Sequence, residues 1–269
     1  MKRIVLGVQY DGSCWRGWQT QPDRQTVQDQ LEKALTCFTT QSIKTLCAGR
    51  TDAGVHGLEQ VVHFDTELSR SEYSWVNGVN SFLPSSISVQ WAKELIESEE
   101  AEFHARFSAT ARTYHYLLHN NKIRSPMWAN KAGWVFRPLD LQRMQSGALF
   151  LLGQHDFSAF RAAECQANSP LKTMYEIHIR QSGDLFLFTL KANAFLHHMV
   201  RNIVGSLIFV GMGRREPEWM GELLQKQDRS LAAPTFMPDG LYLAHIDYDA
   251  IWGLPQAQGL TPFNLFTCG

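Results

Sequence analysis

Ile43-Lys44-Thr45-Leu46-Cys47-Ala48-Gly49-Arg50-Thr51-Asp52-Ala53-Gly54-Val55-His56-Gly57-Leu58-Glu59-Gln60-Val61-Val62-His63-Phe64 is the stretch on which the fold turns. A strand at about 43–48 leads into the glycine-punctuated segment 49–57. A second strand, 58–64, then alternates Leu58, Val62 and Phe64 against Glu59 and His63. Working outward, residues 3–10 make a buried strand closed by the turn dipeptide Asp11-Gly12. Thr26 followed by Asp29 is a capping-box signature, and behind it Val27, Leu31, Ala34, Leu35 and Phe38 fall at helical spacing. A helix near 71–79 and a strand near 87–92 complete a β-α-β-β-α-β order.

The order then recurs. Strands are expected at 112–119 and 173–181, and another, 185–191, follows the turn Ser182-Gly183-Asp184. Helices are expected at 139–151, 195–210 and about 216–226, with a last strand at 241–248. Two ferredoxin-like halves follow, an α/β (α+β) fold. The halves are expected at 1–108, with the glycine-rich loop, and at 109–250. The stretches 121–138 and 152–171 read as excursions, and the tail 251–269 has no clear pattern.

The chain has 269 residues, 44% hydrophobic and 19% charged, an ordinary globular composition. No apolar run approaches the ~20 residues that cross a bilayer, and the start shows no signal-peptide pattern. Five cysteines (14, 37, 47, 165 and 268), odd in number and without C-x-x-C spacing, read as reduced thiols of a cytoplasmic protein. Neither a zinc site nor a disulfide framework is indicated. A net charge of −1 counts against diffuse phosphate binding, so any RNA contact must come from a local patch.

Four constellations can carry chemistry. In 49–56, two glycines bracket Arg50, Thr51 and Asp52, where glycine allows tight backbone and close approach by a ligand; the same residues also suit an ordinary hairpin turn. In Arg112-Thr113-Tyr114-His115-Tyr116, strand geometry points Arg112, Tyr114 and Tyr116 to one face. That face is a platform for an unpaired base, or simple strand packing. In the helix from Phe195, Arg201 flanks a continuous apolar face and shares that flank with His198 and Gly205. His197 and His198 diverge by ~100° on a helix and lack H-E-x-x-H spacing, which argues against a shared metal. The fourth run, Tyr10-Asp11-Gly12-Ser13-Cys14-Trp15-Arg16-Gly17-Trp18-Gln19, either approaches a ligand or caps the core.

Taken in order, these runs resemble the tRNA pseudouridine synthase A (TruA-type) family over nearly the whole chain. The resemblance rests on 10–19, Thr26-Val27-Gln28 with Leu31-Glu32, and Cys47 to His56. It continues through Phe103-His104-Ala105-Arg106-Phe107, Arg112-x-Tyr114-x-Tyr116 and Phe195 to Gly205. It implies isomerisation of uridine to pseudouridine at positions 38, 39 and 40 of the tRNA anticodon stem-loop. It also implies a pseudouridine synthase fold, with a central mainly antiparallel sheet flanked by helices, acting as a homodimer with no metal or organic cofactor. By matching positions, Asp52 is the nucleophile, Arg201 the partner of its carboxylate and Tyr114 the contact to the target uridine. Arg50 is a candidate to occupy the space of the flipped base. A near-neutral dimer would have to gather its cations, and Arg16, Arg24, Arg106, Arg161 and Lys172 are candidates for one cleft.

Two rival classes remain distinguishable. A glycosidase-like hydrolase needs an acid–base pair of carboxylates ~5–9.5 Å apart, and Asp52 has no obvious second carboxylate in the recognisable runs. A non-catalytic RNA-binding module needs the aromatic face but neither Asp52 nor Arg201.

Overall fold

The computed structural model describes residues 1–95, 102–165 and 169–255. In chain order its elements are β1 (Lys2–Tyr10), α1 (Val27–Thr39), β2 (Leu46–Cys47), β3 (His56–Thr66), α2 (Glu72–Asn80), β4 (Ile87–Leu95), β5 (Ala109–Asn120), β6 (Gly133–Val135), α3 (Leu141–Leu149), β7 (Gly153–Asp156), β8 (Leu171–Ser182), β9 (Leu185–Ala192), α4 (Met199–Gly211), α5 (Trp219–Lys226) and β10 (Leu241–Tyr248). The fold is mixed α/β with mainly antiparallel sheet. Two compact units divide the described residues, one of 1–110 with 242–255, the other of 111–241. The last strand, read from sequence as part of the second half, thus belongs mostly to the first unit. Among the described residues no helix is long and apolar enough to cross a membrane. Of the tail 251–269, residues 256–269 lie outside the described residues.

In the first unit the strand order is β4-β1-β3-β10, with β2 also on β3. β1 lies antiparallel to β3 and β4, with Ile4 opposite Phe64 and Val5 opposite Lys93; β10 runs parallel to β3, with Tyr242 opposite His56. α1 starts where its cap dictates: the Thr26 hydroxyl oxygen accepts from Asp29 N–H at 3.3 Å and donates to the Asp29 carboxylate at 2.5 Å. Its Val27, Leu31, Ala34 and Leu35 are buried against Ile4, Leu6, Val62 and Phe64 of the sheet, with Trp75 of α2 in the same core.

Two expectations in this unit are corrected. The strand expected over 43–48 shrinks to Leu46–Cys47, because the backbone of Thr45 is bonded to α1 side chains. Glu32 Oε1 accepts from Thr45 N–H at 2.9 Å, and Gln28 Nε2 donates to Thr45 O at 3.1 Å. The alternation read in β3 also misleads, since Glu59 and His63 are as buried as Val62 and Phe64. Each polar side chain is satisfied in place, Glu59 by His245 and His63 by the Ala105 N–H, which donates to Nδ1 at 3.2 Å.

That Ala105 bond has a pH consequence. The His63 ring is 2% exposed, and burial, followed by the charges of Arg3 and His104, pushes its pKa down to about 4, against opposing pulls from Asp65 and Glu102. Below its ordinary value of ~6.5 the unfolded ring binds a proton that the folded ring refuses until pH about 4. Stability therefore falls as pH drops through this window, by roughly 3 kcal/mol for this group. Denaturant titrations at pH 7.5 and 4.5 check this. The stability difference should narrow in His63→Gln, which keeps an acceptor without the titration, and an unchanged difference would contradict the assignment.

The second unit carries β5-β9-β8-β7 in antiparallel order, with β6 parallel to β5. The expected excursions 121–138 and 152–171 therefore contribute strands β6 and β7. The helix expected from 195 begins only at Met199. His198 sits in the left-handed region at φ 60°, and the backbone of His197 is spent elsewhere. Its carbonyl accepts from Ala162 N–H at 3.0 Å and its N–H donates to Cys165 Sγ at 3.3 Å. α4 is buried almost all round rather than along a single face, and Arg201 is half-buried.

Candidate functional site

The loop carrying Asp52 is pinned residue by residue within the first unit. At its start Gln60 Nε2, wholly buried, donates to Gly49 O at 2.5 Å, and Ala48 N–H donates to Val61 O at 2.8 Å. Thr51 is buried; its carbonyl accepts from Trp18 N–H at 2.9 Å and its hydroxyl meets the Tyr10 hydroxyl at 2.8 Å. Val55 N–H donates to Asp52 O at 3.2 Å, closing a turn in which Gly54 takes φ 79°. His56, buried at the head of β3, accepts from Gly12 N–H at 3.1 Å through Nδ1 and stacks on Tyr242 with ring centroids 4.5 Å apart. Within this frame Asp52 is half-buried and Arg50 exposed.

The run 10–19, left open between ligand contact and core cap, is the brace of this loop. Its glycines let two backbones meet. A Cβ at Gly12 would stand 1.9 Å from Val55 O, and one at Gly17 would stand 2.7 Å from Thr51 O and 3.0 Å from the Asp52 carbonyl carbon. Sequence reasoning missed Tyr10, Trp18, Gln60 and Thr51 as positioning groups, although the Tyr10-Asp11-Gly12 and Gly17-Trp18 runs were visible signals.

In the second unit Arg201 is anchored through Nε, which donates to Phe236 O at 2.8 Å, while Phe236 N–H donates back to Arg201 O at 3.4 Å. Gly205, one turn on, permits this. A Cβ there would meet Pro234 O at 2.8 Å, so the segment carrying Phe236 can lie against α4. The neighbouring Asn202 is also fixed, donating to Phe160 O at 2.8 Å and accepting from Arg229 at 3.0 Å. Arg201 is thus a held cation rather than a solvated one.

Tyr114 on β5 is half-buried, its ring edge-to-face with Phe195 at 5.0 Å. The platform expected from Arg112, Tyr114 and Tyr116 is corrected at Tyr116, which is 0% exposed and donates its hydroxyl to Met237 O at 2.9 Å. That ring belongs to the core. Arg112 donates to Asn193 O at 2.9 Å. His197 and His198, expected to diverge on a helix, instead bring their rings to 3.9 Å because both precede α4.

Asp52 and Arg50 therefore belong to the first unit, Tyr114 and Arg201 to the second. Of the cations grouped by the sequence reading, Arg16, Arg24 and Arg106 lie in the first unit and Arg161 and Lys172 in the second. Arg16 pairs with Asp23 at 2.5 Å and Arg24 with Asp29 at 3.4 Å, while Arg161 donates to Cys165 O and Lys172 to Ser169 O.

A family model described as tRNA pseudouridine synthase matches residues 7–108 and 148–249. Among curated relatives, a "tRNA pseudouridine synthase A" of Herminiimonas arsenicoxydans is 66% identical over 257 residues, 96% of this chain and 94% of the relative. Another of the same name, from Janthinobacterium sp. (strain Marseille), is 65% identical over 259 residues, 96% of each chain. A third, from Paraburkholderia phytofirmans, is 58% identical over 265 residues, 98% of this chain and 97% of the relative.

Proposed function

We propose that this chain, which belongs to the tRNA pseudouridine synthase family and isomerises uridine to pseudouridine in tRNA, acts at positions 38, 39 and 40 of the anticodon stem-loop with Asp52 as its covalent nucleophile. The observation that carries the assignment of Asp52 is the construction of its loop. Thr51 and Val55 are buried on either side of a half-buried carboxylate, and every backbone neighbour named above is bonded. A rigid loop that presents one carboxylate is what an attacking group requires.

The reaction breaks the N1–C1′ bond, turns the uracil and joins C5 to C1′, with loss of the C5 proton. Asp52 adds covalently, at C1′ of the ribose or at C6 of the ring, and is expelled when the new bond is complete. An attacking carboxylate must stay charged beneath the base, and a guanidinium paired with it favours that form; Arg201 has this role. Tyr114 contacts the target uracil. Extrusion of a stem base costs a few kcal/mol of unstacking, and Arg50 fills the space it vacates. Two copies of the chain act together in the cytoplasm, where the exposed Cys14 and Cys37 stay reduced.

The test is tritium release from anticodon stem-loop RNA labelled at C5 of uridine. Stem-loops bearing a single uridine at 38, 39 or 40 should each release tritium with the wild-type protein and retain the base in the RNA. Free uracil would instead indicate a hydrolase, and conversion confined to other positions would remove the positional assignment.

A further inference from the structure

Phe107 is 77% exposed, yet it stands on a turn whose backbone is bonded from several sides. Beneath it Phe103 and Ala105 are buried. Arg3 donates to Phe103 O at 2.6 Å, and the Tyr248 hydroxyl donates to Ala105 O at 2.6 Å. Ala105 N–H donates to His63 Nδ1; Arg106 and Phe107 N–H donate to His104 Nδ1 at 3.1 and 3.3 Å. Ser108 closes the turn, its N–H on His104 O at 2.9 Å and its hydroxyl oxygen accepting from His104 N–H at 3.0 Å. One face of the Phe107 ring rests on His104, with centroids 4.3 Å apart, and His104 rests on His63 at 4.8 Å.

An exposed ring held this firmly is a surface for a flat partner. Arg3 and Arg106, and against them Glu102, act on His104 beneath the ring. The Arg106 guanidinium carbon lies 5.8 Å from the ring centroid. Arg50, from the Asp52 loop, and Arg106 both act on the Cys47 thiol, which burial pushes up to about 11 and their charges pull back. Both charges thus act near Cys47 of β2. His104 is held below its ordinary pKa, by burial first and then by Arg3. An exposed aromatic face with a guanidinium beside it matches an unpaired base and its phosphate better than an apolar protein patch.

We propose that this turn is an RNA-stacking site, with Phe107 receiving the face of an unpaired base of the tRNA substrate and Arg106 the adjacent phosphate. The proposal rests on the tRNA reading above. Binding of an unmodified tRNA transcript and its conversion to pseudouridine are measured for wild type, Phe107→Ala, Phe107→Leu, Phe107→Trp and Arg106→Ala, each with its melting temperature and sedimentation profile. Phe107→Ala should raise Kd roughly tenfold or more, with the rate at saturating RNA unchanged. Leu, which keeps apolar cover over His104, should bind as poorly as Ala, and Trp should restore binding. Arg106→Ala should flatten the slope of log Kd against log salt by about 0.7 to 0.9.

If wild type binds and converts tRNA while the Ala and Leu variants bind equally well, this inference alone falls. A change in sedimentation with RNA affinity unchanged would make the turn a contact between copies and overturn it as well. A wild-type protein that neither binds nor converts tRNA would overturn both this inference and the reading it rests on.

Discussion

Asp52→Ala is expected to lower the rate of tritium release from C5-labelled stem-loop RNA by roughly 10⁴-fold or more, with RNA affinity near that of wild type. The size follows from what the side chain supplies. Without a covalent bond the uracil must leave C1′ and be recaptured in one step. Positioning by the rest of the site cannot replace that bond. Affinity should survive because the loop is tied through other groups: Gln60 on Gly49, Trp18 and Tyr10 on Thr51, and Gly12 on His56. Asp52→Asn, with the same shape and no charge, should be as inactive. Tritium release by either variant within tenfold of wild type would end the nucleophile assignment. A parallel loss of RNA binding would show that the charge serves the complex rather than the chemistry.

Gly17→Ala is expected to cost about 3 kcal/mol of stability and, in the fraction that folds, on the order of 100-fold in activity. Two separate penalties meet at this position. Gly17 has φ 84°, where an L side chain is strained. A Cβ there also lands 2.7 Å from Thr51 O and 3.0 Å from the Asp52 carbonyl carbon, both backbone atoms that no rotamer change can move. Relief must come from shifting the loop, and a shift of the loop moves the carboxylate. Gly49→Ala is the control, since a Cβ there meets nothing within 4 Å. Melting temperature and single-turnover rate should both fall for Gly17→Ala and change little for Gly49→Ala. Equal behaviour of the two would mean that the brace does not position Asp52.

The contrast between these glycines shows how far the motif can be read without coordinates. Both Gly49 and Gly54 bracket Asp52 in the sequence, but only Gly54 takes a left-handed φ, and the tightest approach comes from Gly12 in a different run. Spacing marks where glycine is unusual; it does not say which atom needs the room. Arg201 teaches the same lesson. Its place on the flank of a helix is periodic and legible, whereas its anchor, Phe236 O, arrives from 35 residues away. Nothing in the alternating Tyr114 and Tyr116 pattern says which ring lies under Phe236 and Met237 and which remains half-exposed.

By itself the amino-acid sequence determined the order of the long strands and helices (though not the short β6 and β7), the start of α1 at Thr26, and the loop on which Asp52 stands. These depend on local terms: alternation or helical spacing, a cap three residues away, a turn dipeptide. The tertiary structure alone decided the short β2, the late start of α4, the burial of Glu59 and His63, and the clasp of residues 10–18 on residues 51–57. In each case a backbone or side-chain polar group had two possible partners, one local and one distant. Burial made the distant bond the one that left no group unpaired.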